Sequence, residues 1–167
     1  DRGALPWDEA LRIGEQIAQG LAAAHGKAVF HRDIKPGNIL LDGRGHAYLT
    51  DFGIAKVVNA DTQLTVDGSR LGTPQYMAPE RCEGKDAGAA SDIYALGVVM
   101  YQCIAGRLPF TAETPAGLLD QIVTEAIGPV SRFAGSAPRD VDRLIAWMTE
   151  KAPRHRPSSA QVLADAM

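Results

Sequence analysis

Between Ser91 and Ala105 the sequence is apolar on nearly every face of a helix, with Ile93, Ala95, Leu96, Val98, Val99, Met100 and Ile104 spread around the axis. Such a helix is stable only where other elements surround it, so it belongs at the centre of a domain. The apolar stretch from Ile93 to Ala105 is too short to span a bilayer and contains Gln102, and no signal-peptide pattern opens the chain. A cytoplasmic location is therefore expected.

Other segments supply the surrounding layer. Pro6 to Ala24 has Ala10, Ile13, Ile17, Leu21 and Ala24 at helical spacing, with Asp8 and Glu9 near the positive end of the dipole and Gly26 as the stop. Pro115 to Thr124 and Pro138 to Glu150 read as helices. The second places Val141, Leu144, Ile145 and Met148 on one stripe behind a proline suited to a first turn. Ser158-Ser159-Ala160-Gln161 fits a capping box opening a last helix. Ile39-Leu40-Leu41 and Ala47-Tyr48-Leu49 flank Asp42-Gly43-Arg44-Gly45, which is turn chemistry between two short strands. A phosphate-binding glycine loop would need a third glycine at position 48, where Tyr48 stands. Val57 to Gly72 is polar and aperiodic, a long loop of the kind that is usually functional. The fold class expected is mainly α: a helical bundle around a buried central helix, with one small hairpin.

With 167 residues, 46% of them apolar, the chain can bury a core as one domain. A net charge of −3 with both signs interspersed gives no footprint for nucleic acid or a membrane surface. Cys82 and Cys103 lie in no Cys-x-x-Cys or Cys/His array and read as free thiols in a reducing compartment. His25, His46 and His155 lack metal-ligand spacing and read as surface or helix-end residues, and Trp7 and Trp147 as packing.

The chemistry-bearing motifs come in one order: His31-Arg32-Asp33-Ile34-Lys35-Pro36-Gly37-Asn38, then Asp51-Phe52-Gly53, Ala78-Pro79-Glu80, Ser91-Asp92-Ile93-Tyr94-Ala95-Leu96-Gly97 and Arg156-Pro157. Together they resemble the C-terminal lobe of a eukaryotic-like (Hanks-type) bacterial serine/threonine protein kinase, and the resemblance covers essentially the whole chain. It divides residues 1–167 into a helix leading to the catalytic loop (1–30), the catalytic loop and hairpin (31–50), the activation segment (51–80) and a helical subdomain (81–167).

The resemblance implies ATP and Mg2+ as cofactors, with Mn2+ as an alternative, and protein Ser/Thr hydroxyls as substrates. Asp33 corresponds to the aspartate that accepts or orients the hydroxyl proton, Lys35 to the lysine that meets the transferred phosphate, and Thr73 to the hydroxyl that bonds to both. Asn38 and Asp51 correspond to the magnesium ligands, since that ion takes hard oxygens and needs only one or two side chains beside the phosphates. Leu40 would lie under the adenine ring, and strand core is its other reading. His31 and Phe52 correspond to the regulatory stack, Asp92 to the aspartate holding the catalytic-loop backbone, and Glu80 with Arg156 to an ion pair tying down the activation segment. Arg32 marks kinases regulated by a phosphate on that segment, with Thr62, Thr65 and Ser69 as candidate acceptors and Thr65 first among them.

Nothing upstream of His31 supplies a glycine-rich loop or strand lysine, so the N-lobe is expected to be absent and to be a missing partner from the same polypeptide. Mere positioning can account for roughly 7 to 11 kcal/mol of a barrier, so the chain alone is expected to be nearly inactive. Apolar surface around Leu40, Leu49 and Phe52 is expected to be exposed. A chain that begins at Asp1 and stops at Met167 within a helical pattern is expected to be a piece of a longer protein, whose parent could be membrane-anchored. The competing readings are a non-catalytic scaffold or binding module built on the lobe, and an inert truncation.

Overall fold

The computed structural model describes residues 3–52 and 74–167. Thr62, Thr65, Ser69 and Thr73 lie outside the described residues. In chain order the elements are α1 (Trp7–His25), β1 (Ile39–Leu41), β2 (Ala47–Leu49), α2 (Pro79–Cys82), α3 (Ala89–Ala105), α4 (Pro115–Thr124), α5 (Arg139–Met148) and α6 (Ala160–Ala164). Among the described residues the domain is mainly helical with one two-stranded antiparallel sheet.

The all-round apolar helix is α3, and every residue from Ser91 to Tyr101 is buried, with Ile104 a turn later. It ends at Gly106, whose φ of +69° suits the residue that reverses a helix, and the Gly106 N–H donates to the Gln102 carbonyl. The largest core cluster joins α3 to α1, α5 and α6 through Ile17, Leu21, Leu96, Met100, Met148 and Leu163. A second cluster packs Tyr101 and Ile104 against Val130, Val141 and Ile145, and a third packs Tyr94 and Val98 on Ala78. At the crossing of α3 with the end of α5, a Cβ on Gly97 would stand 2.7 Å from Thr149 Cγ2 and 2.9 Å from Met148 Cβ. Only glycine allows that approach. Trp7 and Trp147 pack against the core.

Gly26 ends α1 as its C-cap, with a right-handed φ of −60°, and the left-handed residue after it is Ala28, whose φ is +56°. Two local expectations change. The last helix is capped one residue later than the box pattern suggests. Ser159 Oγ accepts from the Val162 N–H at 3.1 Å, while Gln161 Nε2 donates down the helix to Asp165 Oδ1 at 2.7 Å. The fifth helix is shorter than Pro138 to Glu150, because Pro138 sits outside it as the cap and Thr149 closes it.

β1 and β2 pair in the register Ile39↔Leu49, Leu40↔Tyr48 and Leu41↔Ala47. The turn is set by Asp42, whose Oδ1 accepts from the Arg44 and His46 N–H groups, and by Gly45 at φ +81°. Gln16 Oε1 accepts from the Ala47 N–H at 2.8 Å and fastens the hairpin to α1. Strand core is not the environment of Leu40, which is 54% exposed beside Leu41 and Tyr48. Among the described residues, α1 packs against the hairpin through β2. Leu49 packs on the main core and Phe52 is half-buried, and the most exposed large apolar residues of the hairpin are Leu40, Leu41 and Tyr48.

Candidate active site

The loop between α1 and β1 is hung from the first turn of α3. Asp92 Oδ2 accepts the His31 N–H and Asp92 Oδ1 the Arg32 N–H, each at 2.8 Å, and His25 Nε2 reaches Oδ2 at 2.9 Å. Asp92 is 2% exposed. A carboxylate buried to that degree needs donors on both oxygens, and the loop backbone supplies them. His25 had read as a surface or helix-end residue. It does end α1, but its ring is turned inward onto Asp92, a contact set by the chain reversal after α1 that no local spacing announces.

His31 is fully buried and connects three parts of the site. Its Nδ1 accepts from the Asp33 N–H at 3.3 Å, so the ring proton sits on Nε2, which donates to the Thr50 carbonyl at 2.8 Å. The His31 and Phe52 rings are 4.8 Å apart between centroids, tilted by 50°, a favourable aromatic separation.

Asp33, Lys35 and Asn38 converge. Lys35 Nζ donates to Asp33 Oδ2 at 2.8 Å. Asn38 Nδ2 donates to the Asp33 carbonyl at 2.8 Å and lies 3.3 Å from Oδ2. The side chains of Lys35 and Asp33 are 31% and 42% exposed, so this pair contributes little to stability and acts mainly to hold the carboxylate in one rotamer. The hairpin register sets Asn38 opposite Thr50, whose N–H donates to the Asn38 carbonyl at 2.9 Å, and this brings Asp51 to the same end of the sheet. Asp51 is exposed with φ +60°, and Arg32 has φ +66°. Left-handed backbone at two non-glycine residues is a strain that the surrounding hydrogen bonds must overcome.

Among the described residues no three or more His, Cys, Asp or Glu side chains gather as a metal cage. The donors here are the Asp51 carboxylate and the Asn38 amide oxygen. Hard oxygens of that kind suit an octahedral cation that keeps waters and shares ligands with phosphates, so the residues fit magnesium with a nucleotide.

Further from the loop, Arg156 is buried with Glu80. Its Nη1 and Nη2 donate to Glu80 Oε1 and Oε2 at 2.8 and 2.7 Å, and the guanidinium also donates to the carbonyls of Ala90, Glu150 and Lys151. It lies 4.9 Å over the Tyr94 ring. Ser91 Oγ donates to Glu80 Oε1 at 2.7 Å. Burial pushes the Glu80 carboxyl up, but the bonds from Arg156 and Ser91 outweigh it and hold the group below its ordinary value. From α2, Arg81 Nη1 donates to the Arg32 carbonyl at 2.7 Å. Arg81 and Thr50 carry no local signal in the sequence, whereas Ser91 opens the Ser91–Gly97 motif. Both cysteines are free, and burial raises their thiols, Cys82 to about 11.

On this helical domain a buried aspartate, Asp92, grips a loop that presents Asp33, Lys35 and Asn38, with Asp51 across the hairpin. Residues 1–166 match the protein kinase domain family, and the chain belongs to it. It is 41% identical over 172 residues to serine/threonine-protein kinase pkn2 of Myxococcus xanthus, covering 99% of the chain and 21% of that protein. It is 40% identical over 159 residues to PrkC of Bacillus subtilis, covering 95% and 24%. Against PknA of Mycobacterium tuberculosis it is 40% identical over 165 residues, covering 99% and 37%. The chain thus spans well under half the length of these relatives.

Proposed function

We propose that residues 1–167 are the C-lobe of a bacterial-type protein kinase that transfers the γ-phosphoryl group of ATP to Ser or Thr hydroxyls of proteins. The observation that carries this reading is the convergence of Lys35 and Asn38 on the Asp33 carboxylate. Asp33 takes the proton of the attacking hydroxyl, and its rotamer is held by the two neighbours so that little reorganisation accompanies attack. Lys35 brings positive charge to the oxygens of the phosphoryl in flight. Asn38 and Asp51 would hold magnesium, which would neutralise phosphate charge. Thr73 completes the contacts of Asp33 and Lys35. Leu40, exposed at the hairpin, supports the adenine.

In this reading the catalytic loop and hairpin occupy 31–50, the activation segment 51–80 and the helical subdomain 81–167. Thr65, with Thr62 and Ser69 behind it, takes the activating phosphate, which pairs with Arg32. The N-lobe of the same polypeptide covers Leu40, Leu41 and Tyr48 and brings the remaining phosphate contacts, and the domain works in the cytoplasm. Among the described residues no helix is long and apolar enough to cross a membrane. Intact Asp33, Asn38 and Asp51 favour a catalyst over a scaffold, because a scaffold has no need for the proton acceptor and both metal-type ligands.

The test uses the complete polypeptide encoded with this chain, with Mg2+, ATP and a Ser/Thr peptide. Phosphoryl transfer is expected, with kcat falling by about 100-fold or more in Asp33→Asn. Absence of transfer, or an unaffected variant, would refute the catalytic assignment. Ordinary kinase rates from residues 1–167 alone would refute the C-lobe assignment.

A further inference from the structure

We infer that Arg81 is a positioning residue for Asp33, coupling the short helix α2 to the catalytic loop through the Arg32 carbonyl; its kinetic consequence rests on the kinase reading above. The peptide unit joining Arg32 to Asp33 is held at both ends. Its carbonyl accepts from Arg81 Nη1 at 2.7 Å, and its N–H donates to His31 Nδ1 at 3.3 Å. The peptide before it is held by Asp92, which accepts the Arg32 N–H at 2.8 Å. Arg32 lies between these anchors with φ +66°. That conformation is disfavoured for a residue with a Cβ, and it persists only where its flanking peptides are clamped.

The two clamps are not equivalent. Asp92 and His31 grip N–H groups of the loop from the core side. Arg81 is the side chain that grips the Arg32 carbonyl from α2, and a guanidinium donating to a carbonyl makes a strong, charge-assisted bond. Without it, the carbonyl can rotate away, and the left-handed turn relaxes by turning the very peptide that carries Asp33. The carboxylate at the next position then leaves the place where Lys35 and Asn38 meet it.

The anchor at the other end of Arg81 gives the bond its direction of control. Arg81 directly follows Glu80, whose carboxylate is locked by the Arg156 fork and by Ser91. The position of α2 is therefore set by buried groups, and Arg81 conveys that position to Asp33.

The experiment compares wild type, Arg81→Ala and Arg81→Lys in the complete polypeptide. In Arg81→Ala, kcat is expected to fall about 10- to 100-fold, the range that a small misplacement of a reacting group produces, with the KM for ATP within twofold and the melting midpoint little changed. Arg81→Lys, which can still donate to the carbonyl, is expected to recover most of the loss. Unchanged kcat in Arg81→Ala, a loss that follows the folded fraction, or no rescue by lysine would overturn the inference. Hydrogen exchange provides a readout independent of turnover: the segment 30–34 should exchange about tenfold faster in Arg81→Ala, with α3 unaffected. If wild type shows no turnover, the kinase reading fails while exchange still decides the role of Arg81, and unchanged exchange at 30–34 would overturn it.

Discussion

Replacing Arg156 by methionine should be among the most damaging single changes in the chain. The guanidinium donates to both Glu80 oxygens and to the carbonyls of Ala90, Glu150 and Lys151, and its side chain is 0% exposed while that of Glu80 is 8% exposed. Removing it leaves a buried carboxylate without its charge partner, a loss of about 3 to 5 kcal/mol, to be set against a total stability of about 5 to 15 kcal/mol for a typical domain. At about 2 to 4 °C per kcal/mol for a domain of this size, the midpoint should fall by about 6 to 20 °C at pH 7. The second replacement is diagnostic. Glu80→Leu combined with Arg156→Met removes the stranded charge and should be more stable than Arg156→Met alone, although the three carbonyls still lack their donor. Because the folded Glu80 carboxyl lies below its ordinary value of 4.5, the folded state binds that proton less tightly than the unfolded chain does. The stabilisation is complete above about pH 4.5 and is lost as the pH falls further, so the wild type should approach the Arg156→Met variant in acid. Thermal and urea unfolding of the purified chain from pH 3 to 7 measures all of this. A midpoint within 2 °C of wild type for Arg156→Met, or a double variant whose loss equals the sum of the singles, would refute the reasoning.

Two further outcomes are expected. Gly97→Ala places a methyl 2.7 Å from Thr149 Cγ2 and 2.9 Å from Met148 Cβ and should cost about 1 to 3 kcal/mol by overpacking; an unfolding midpoint in urea equal to that of wild type would show that the crossing of α3 and α5 is slack. Burial brings the Lys151 ammonium down from 10.5 to about 8, so the unfolded chain binds this proton more tightly and the Lys151 contribution to stability rises between about pH 8 and 10.5. The raised cysteine and tyrosine groups oppose that rise in the alkaline range, so the quantity to measure is wild type minus Lys151→Met, which should increase from pH 7.5 to 10. A flat difference would count against the lysine.

How much of this was legible in the sequence depends on the range of the interaction. The hairpin Ile39–Leu41 with Ala47–Leu49 follows from a local signal, the turn residues Asp42 to Gly45 between its strands, and the helix Pro115–Thr124 has the bounds read from the sequence. The burial of α3 follows from composition alone, since a helix apolar on every face has nowhere else to go. What local pattern could not supply is the hydrogen bonding of groups brought together by the fold. His25 lies 67 residues from Asp92 in sequence and Arg81 49 from Arg32, and neither pairing leaves a periodicity to read. After α1 the same limit shows at short range: the helix ends at Gly26 as its glycine suggests, while the left-handed residue is Ala28, where the Val29 N–H returns to the Ala24 carbonyl.

The first turn of α3 explains why catalytic-type residues on a loop can be held as firmly as a core. Ser91 and Asp92 are neighbours, and successive helical side chains diverge by roughly 100°, so one turn serves two elements on different sides. Ser91 reaches Glu80 on α2, and Asp92 reaches the His31 and Arg32 peptides. Immediately beyond them the helix is buried among α1, α5 and α6, and an interior packed at that density cannot let a turn slide without opening a cavity. The loop seats Ile34 in the main core, and the bonds from Asp92 fix the His31 and Arg32 peptides to α3 beside it. This arrangement leaves the Asp33 side chain 42% exposed while the peptides before it are fixed from beneath, so the buried middle of α3 helps to set the geometry of the loop that carries Asp33.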